Sequence, residues 1–172
     1  QKPTLQKRLL KNMLLISNQW SKNIRHNGSI FTTFMLANKE NIKNFIPQRE
    51  PFIMIDELHS ADEKGFKSCF EVIDSNIFLD TELSESALTE NIAQTCAAGF
   101  GYLGSLEEEG EPKIGFIGAI TKLKVHSLPK LGAKLSTEVE ILNTFGNIHL
   151  IQGSVLENGT KLLDCQMKIV LA

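Results

Sequence analysis

Along residues 66–73 apolar and polar side chains alternate, with Phe66, Ser68, Phe70 and Val72 on one side of an extended chain and Lys67, Cys69 and Glu71 on the other. A period of two marks a half-buried strand. Residues 52–58 read as a strand before it, and Glu63, Lys64 and Gly65 form the turn between the two. Upstream, residues 41–46 predict a short helix that stops at Pro47, because proline disfavours helical geometry in the residue before it. From residue 86 to residue 106 the period becomes helical. Leu88, Ile92, Ala93, Cys96, Ala97, Ala98, Phe100 and Leu103 make this helix apolar nearly all round, and such a helix is buried rather than draped on a surface. Gly99, Gly101 and Gly104 cost helix propensity but let a neighbouring backbone approach closely. Ser84 or Ser86 can cap the first turn. The acidic run 107–109, followed by Gly110 and Pro112, ends the helix.

Four more strands follow at residues 114–126, 134–145, 147–157 and 161–171. Asn158-Gly159 between the last two is a strong hairpin signal, since both turn positions favour positive φ. The expected order is two strands, one buried helix and a four-stranded antiparallel meander. This is an α+β layout in which a sheet encloses a single apolar helix.

Composition narrows the class. A chain of 172 residues suits one domain, and 42% apolar with 22% charged residues is ordinary for a globular protein. No apolar run approaches the roughly 20 residues that span a bilayer. A net charge of −2 gives no electrostatic footprint for nucleic acid. Residues 1–34 stand apart: they hold Lys2, Lys7, Arg8, Lys11, Lys22 and Arg25 and no acid, and the first carboxylate is Glu40. A basic, mildly amphipathic leader fits a targeting segment or a membrane-surface helix. We instead expect 1–34 to be an extension, poorly ordered or not native, and 35–172 to be the domain. Cys69, Cys96 and Cys165 lie far apart in apolar patterns without C-x-x-C spacing, which predicts reduced core thiols. No metal site and no cofactor is implied.

Three separated segments, in order, carry a family resemblance. Residues 47–56, Pro-Gln-Arg-Glu-Pro-Phe-Ile-Met-Ile-Asp, are similar to an opening P-H-R-x-P-F-L-L-V-D. Glu90-Asn91-Ile92-Ala93-Gln94 is similar to an E-A-M-A-Q at a central helix, and Phe116-Ile117-Gly118-Ala119-Ile120 with Leu128-Pro129 and Gly132 resembles F-x-G-I followed by V-x-P-G-D. From about residue 44 to 172 the chain thus resembles the hotdog-fold 3-hydroxyacyl-acyl-carrier-protein dehydratases. It departs from them at the G-H-F-P loop before the helix, where residues 74–85 contain no histidine. Asn76-Ile77-Phe78-Leu79 and an acidic helix start stand there instead. That pattern most resembles the dehydratase-like subfamily of aryl-polyene and flexirubin-type pigment clusters.

Dehydration of a 3-hydroxyacyl thioester needs a base for the C2 proton, an acid for the leaving hydroxyl, and donors that hold the thioester oxygen. The resemblance makes Glu90 the acid. Glu90 is also the one carboxylate within the apolar part of the helix, where desolvation favours the neutral, proton-donating form. The resemblance further implies substrate contacts at Ser86, Ala87, Asn91, Gln94, Phe116 and Gly118, although the Gln94 amide equally suits pinning the helix to the sheet. The family histidine has no clear substitute: Asp74, Asp80, Glu82 and Glu85 share its loop, and His59 and His126 close strand ends. Arg49 resembles a structural arginine, with Asp56 as its expected partner. Lys122, Lys124, Lys130 and Lys134 are either a solvated face or a surface for acidic acyl carrier protein.

The expectation is a cytoplasmic hotdog protein, a homodimer or a heterodimer with a related dehydratase. It acts on acyl-carrier-protein thioesters in fatty acid or polyene biosynthesis as a dehydratase. The alternatives are a non-catalytic subunit paired with an active dehydratase, or an acyl thioesterase, which shares the fold.

Overall fold

A computed structural model of the chain describes residues 35–106 and 115–172. The leader at 1–34 and the acidic helix stop at 107–112 therefore lie outside the described residues. β1 (Glu57–Asp62) and β2 (Gly65–Glu71) form an antiparallel pair. The long helix α1 (Glu85–Ser105) follows, its first turn capped by Ser84, whose hydroxyl accepts from the Ala87 N–H. Then come β3 (Gly115–Val125), β4 (Lys134–Phe145), β5 (Ile148–Glu157) and β6 (Thr160–Leu171). Asn158 at φ 50° and Gly159 at φ 81° make the predicted tight turn between β5 and β6.

The alternation in β2 has the expected outcome: Phe66, Ser68, Phe70 and Val72 are buried, and Lys67 points to solvent. Phe66 packs edge-on to Phe100 of α1, and Leu88, Ile92 and Cys96 of the helix meet Leu135, Ile151, Leu163 and Met167 of the sheet. On the other side of the helix, Ala98 joins Ile42, Ile46, Ile55 and Leu58. One sheet thus wraps one helix, the hotdog arrangement.

Several expectations need correction. The four-stranded meander is three strands, because the order across the sheet is β1-β2-β4-β5-β6-β3. β2 occupies the first edge of β4, from Gly65↔Glu140 to Glu71↔Lys134, so β3 crosses over and pairs with the far side of β6. The helix at 41–46 is a single 3-10 turn, Ile42–Asn44. The first strand begins at Glu57, not at 52, since the backbone of Phe52 and Met54 is hydrogen-bonded by helix side chains instead of a neighbouring strand. The helix is not enclosed all round: Glu90, Ala93, Ala97 and Phe100 are only half-buried. Asp56 pairs with Lys39 at 3.2 Å and accepts the Glu71 N–H at 2.8 Å, whereas Arg49 donates to the carbonyls of Ile46 and Gln48. Burial holds the Asp56 carboxyl above its ordinary range, against the opposing pull of the Glu71 N–H and Lys39. Cys96 and Cys165 are core thiols, but Cys69 is half-exposed on the outer face of β2. Burial, and next the hydrogen bond to Glu57, push its thiol up to about 12.

The helix glycines separate into two kinds. A Cβ at Gly99 would overlap the Phe66 ring, whereas one at Gly104 meets nothing within 4 Å among the described residues. Overpacking costs about 1–3 kcal/mol and replacing a helix glycine by alanine regains about 1 kcal/mol. Gly99→Ala should therefore lower the melting temperature and Gly104→Ala raise it, which thermal denaturation followed by circular dichroism checks.

Candidate functional site

The half-open face of α1 looks onto a cleft. Pro47, Gln48, Glu90, Ala93, Ala97, Phe100, Phe116 and Ile117 are among its lining residues, with Ile169 and Leu171 of β6 closing the apolar side. Its volume is about 240 Å³. Glu90 is the one carboxylate among the lining residues, so the chemistry of the cleft centres on it.

The position of Glu90 follows from the segment before β1. Gln94, one helical turn after Glu90, is fully buried and uses its whole amide: Oε1 accepts the Met54 N–H at 2.8 Å, and Nε2 donates to the Phe52 carbonyl at 2.8 Å and to Glu90 Oε1 at 2.9 Å. Asn91 donates to the Met54 carbonyl and accepts from the Thr137 hydroxyl. Two helix amides thereby bind residues 52–54 to α1 and bring Gln48 over the carboxyl. Gln48 Nε2 donates to Glu90 Oε1 at 3.2 Å. Its own Oε1 is buried and has no hydrogen-bond partner among the described residues. The Gln48 amide cannot turn over without setting oxygen against oxygen, so the Glu90 carboxylate fixes its orientation. One Glu90 oxygen is thus held by two amide donors while the other accepts nothing from the described residues, a carboxyl aimed but not saturated.

Residues 40–171 match the profile of the ApeP-like family, whose description is ApeP dehydratase. The chain belongs to this family. The ApeP-like chain is also 27% identical over 135 residues to the 3-hydroxyacyl-acyl-carrier-protein dehydratase FabZ of Clostridium kluyveri, covering 77% of the chain and 94% of the relative. The FabZ of Bacillus subtilis is 23% identical over 143 residues, with coverage of 79% and 99%. Among solved structures, the dehydratase heterocomplex ApeI:P of Xenorhabdus doucetiae superposes with a TM-score of 0.70 at 14% identity, over 76% of this chain and 90% of that one. A hypothetical thioesterase of Streptococcus pneumoniae solved with coenzyme A gives a TM-score of 0.56 at 12% identity, over 67% and 87%. These structural likenesses establish the shared fold.

Within this ApeP-like fold the residues predicted for the site part company. Glu90 and Phe116 line the cleft; Asn91, Gln94, Ser86, Ala87 and Gly118 are not among its lining residues. Asn91 and Gln94 are occupied as anchors. The Ala87 N–H is spent on Ser84, and the Ser86 hydroxyl also bonds Ser84, at 2.8 Å. No histidine is among the lining residues. His126 bonds Asp164 at 2.8 Å, and His59 lies within β1, not after it, beside Glu57 at 2.9 Å. In the loop before the helix Asp74 and Asp80 are exposed, and Glu85, expected in that loop, is the exposed first residue of α1. Asn76 is the buried polar residue there, accepting the Phe78 N–H at 2.9 Å. The sequence reading missed Gln48. Its place in the Pro47-Gln48-Arg49 segment was visible, but its contact with Glu90, 42 residues away, was not.

Proposed function

We propose that this ApeP-like protein forms one half of a hotdog dehydratase dimer in the cytoplasm, where reduced thiols persist, and that Glu90 is its catalytic acid. It acts on 3-hydroxyacyl groups carried by acyl carrier protein, in fatty acid or aryl-polyene synthesis. The observation that carries this reading is the Glu90 carboxyl, aimed by Gln48 and Gln94 at the wall of an apolar cleft. An acyl chain runs along Ala93, Ala97, Phe100 and Phe116. As a base removes the C2 proton, Glu90 gives its proton to the 3-hydroxyl; the C3–O bond breaks, the C2–C3 double bond forms, and water leaves. Gln48 and Gln94, which donate to one oxygen of that carboxyl, hold it in place while the proton moves.

The cleft is smaller than the roughly 300–1,000 Å³ usual for small-molecule pockets, which suits half of a tunnel that a second chain completes. That chain docks at β3. β3 is the end strand of the sheet, and Phe116, Ile117, Ile120, Leu123 and Val125 along it are 41–57% exposed. Open apolar edges invite pairing. The partner is a second copy or a related dehydratase, by analogy with the ApeI:P heterocomplex of Xenorhabdus doucetiae. Exposed Lys122, Lys124, Lys130 and Lys134 offer a surface to acidic carrier protein. A second reading, a non-catalytic subunit that shapes its companion's tunnel, is favoured by the lack of histidine among the lining residues.

The deciding experiment is turnover of a 3-hydroxyacyl carrier-protein thioester by the purified chain, alone and with a companion dehydratase. Activity in either arm that depends on Glu90 supports the enzyme reading. If the chain alone turns nothing over and Glu90→Gln leaves the turnover of the mixture unchanged, the proposal passes to the subunit reading. Assembly is checked separately: Leu123→Asp should weaken association by about 100-fold, the scale of a buried unpaired charge at an interface. Light scattering that shows an unchanged dimer would reject the β3 edge as its site.

A further inference from the structure

A second cluster lies at the opposite end of the sheet from β3. On β1 and β2, Glu57 is directly across from Cys69. The register then shifts between Leu58 and Ser60, which leaves His59 as the extra, unpaired residue of a β-bulge. Bulges re-aim side chains, and this one directs the imidazole across to the neighbouring pair. His59 Nε2 is 2.9 Å from Glu57 Oε2 and 3.4 Å from Cys69 Sγ, and Sγ is 3.3 Å from the same carboxylate oxygen. One nitrogen, one oxygen and one sulfur therefore face each other across a small triangle. All three side chains are partly exposed, and the adjacent Asp56 is already paired with Lys39.

The dimensions of this triangle suit a metal. With Zn–S of about 2.3 Å and Zn–N or Zn–O of about 2.0–2.1 Å, two ligands of a tetrahedron stand about 3.3–3.6 Å apart. The observed edges differ from that by less than half an ångström, so a cation needs only small side-chain shifts. Thiolate with imidazole selects borderline ions such as zinc and cobalt over magnesium and calcium.

We propose that Glu57, His59 and Cys69 form a binding site for a zinc-class divalent cation, with water completing the tetrahedron on the solvent side. The ion ties edge strand β1 to β2 and takes no part in the cleft. Single-sequence spacing concealed the site, because the cysteine and histidine meet only through strand pairing and the bulge.

The test is titration of the reduced, full-length, metal-free chain with cobalt(II). One equivalent should bind with a Kd of about 1 µM or tighter, giving the near-ultraviolet thiolate-to-cobalt absorption and the strong visible bands of tetrahedral cobalt. Zinc should displace it, and excess magnesium should not. Cys69→Ser should abolish the thiolate absorption, and His59→Ala should weaken binding by at least about 10-fold, with circular dichroism confirming that both variants are folded. The proposal is overturned if the wild type binds no cobalt, as expected of a purely hydrogen-bonded trio, or if the thiolate absorption survives Cys69→Ser.

Discussion

Glu90→Gln should fold like the wild type and lose about 100-fold to 10,000-fold in turnover, the range typical of removing a general acid. Glutamine keeps the volume of the side chain. Its amide oxygen can still accept the Gln48 and Gln94 donors, which reach a single Glu90 oxygen at 3.2 and 2.9 Å. What it lacks is the transferable proton. The measurement is dehydration of a 3-hydroxyacyl carrier-protein thioester by the assembled protein, with melting temperature as the control for folding. Unchanged turnover in the variant would remove Glu90 from the chemistry and leave it as a structural acid on α1.

Asn91→Leu should do the reverse, damaging stability first. Asn91 is fully buried, and its amide joins three elements: α1, the Met54 carbonyl before β1, and the Thr137 hydroxyl on β4. Leucine has similar volume and offers neither donor nor acceptor. The Met54 carbonyl and the Thr137 hydroxyl would then be stranded in the core, at about 1–3 kcal/mol for each unsatisfied group. For a domain of this size a loss near 3 kcal/mol lowers the melting temperature by about 10 °C. A variant that melts like the wild type yet binds acyl ligand poorly would instead return Asn91 to the substrate-contact role that the family resemblance implies.

The local pattern made much of this fold legible. The bounds of β4, the α1 helix to within a residue at each end, and the Asn158-Gly159 turn all rest on interactions between residues close in the chain, and these leave a period or a turn signature. The strand proposed at 52–58 was placed too early for the same reason in reverse. Its apolar composition was strand-like, but Gln94 and Asn91 bind its backbone from 37 to 42 residues away, and no local period encodes that.

The candidate site divides along the same line. The sequence by itself determined the α+β class, the hotdog resemblance and Glu90 as the candidate carboxylate on the central helix, because these depend on composition, periodicity and short motifs. Tertiary structure alone decided that β3 pairs with β6 at the sheet edge, that Gln48 bonds the Glu90 carboxyl, that Asn91 and Gln94 are anchors, and that Glu57, His59 and Cys69 converge. Each of those depends on strand order, register, a bulge, or the packing of the segment before β1 against the helix. These are set by which surfaces the whole chain can bury together, and a one-residue change in pairing moves a side chain to the opposite face of the sheet.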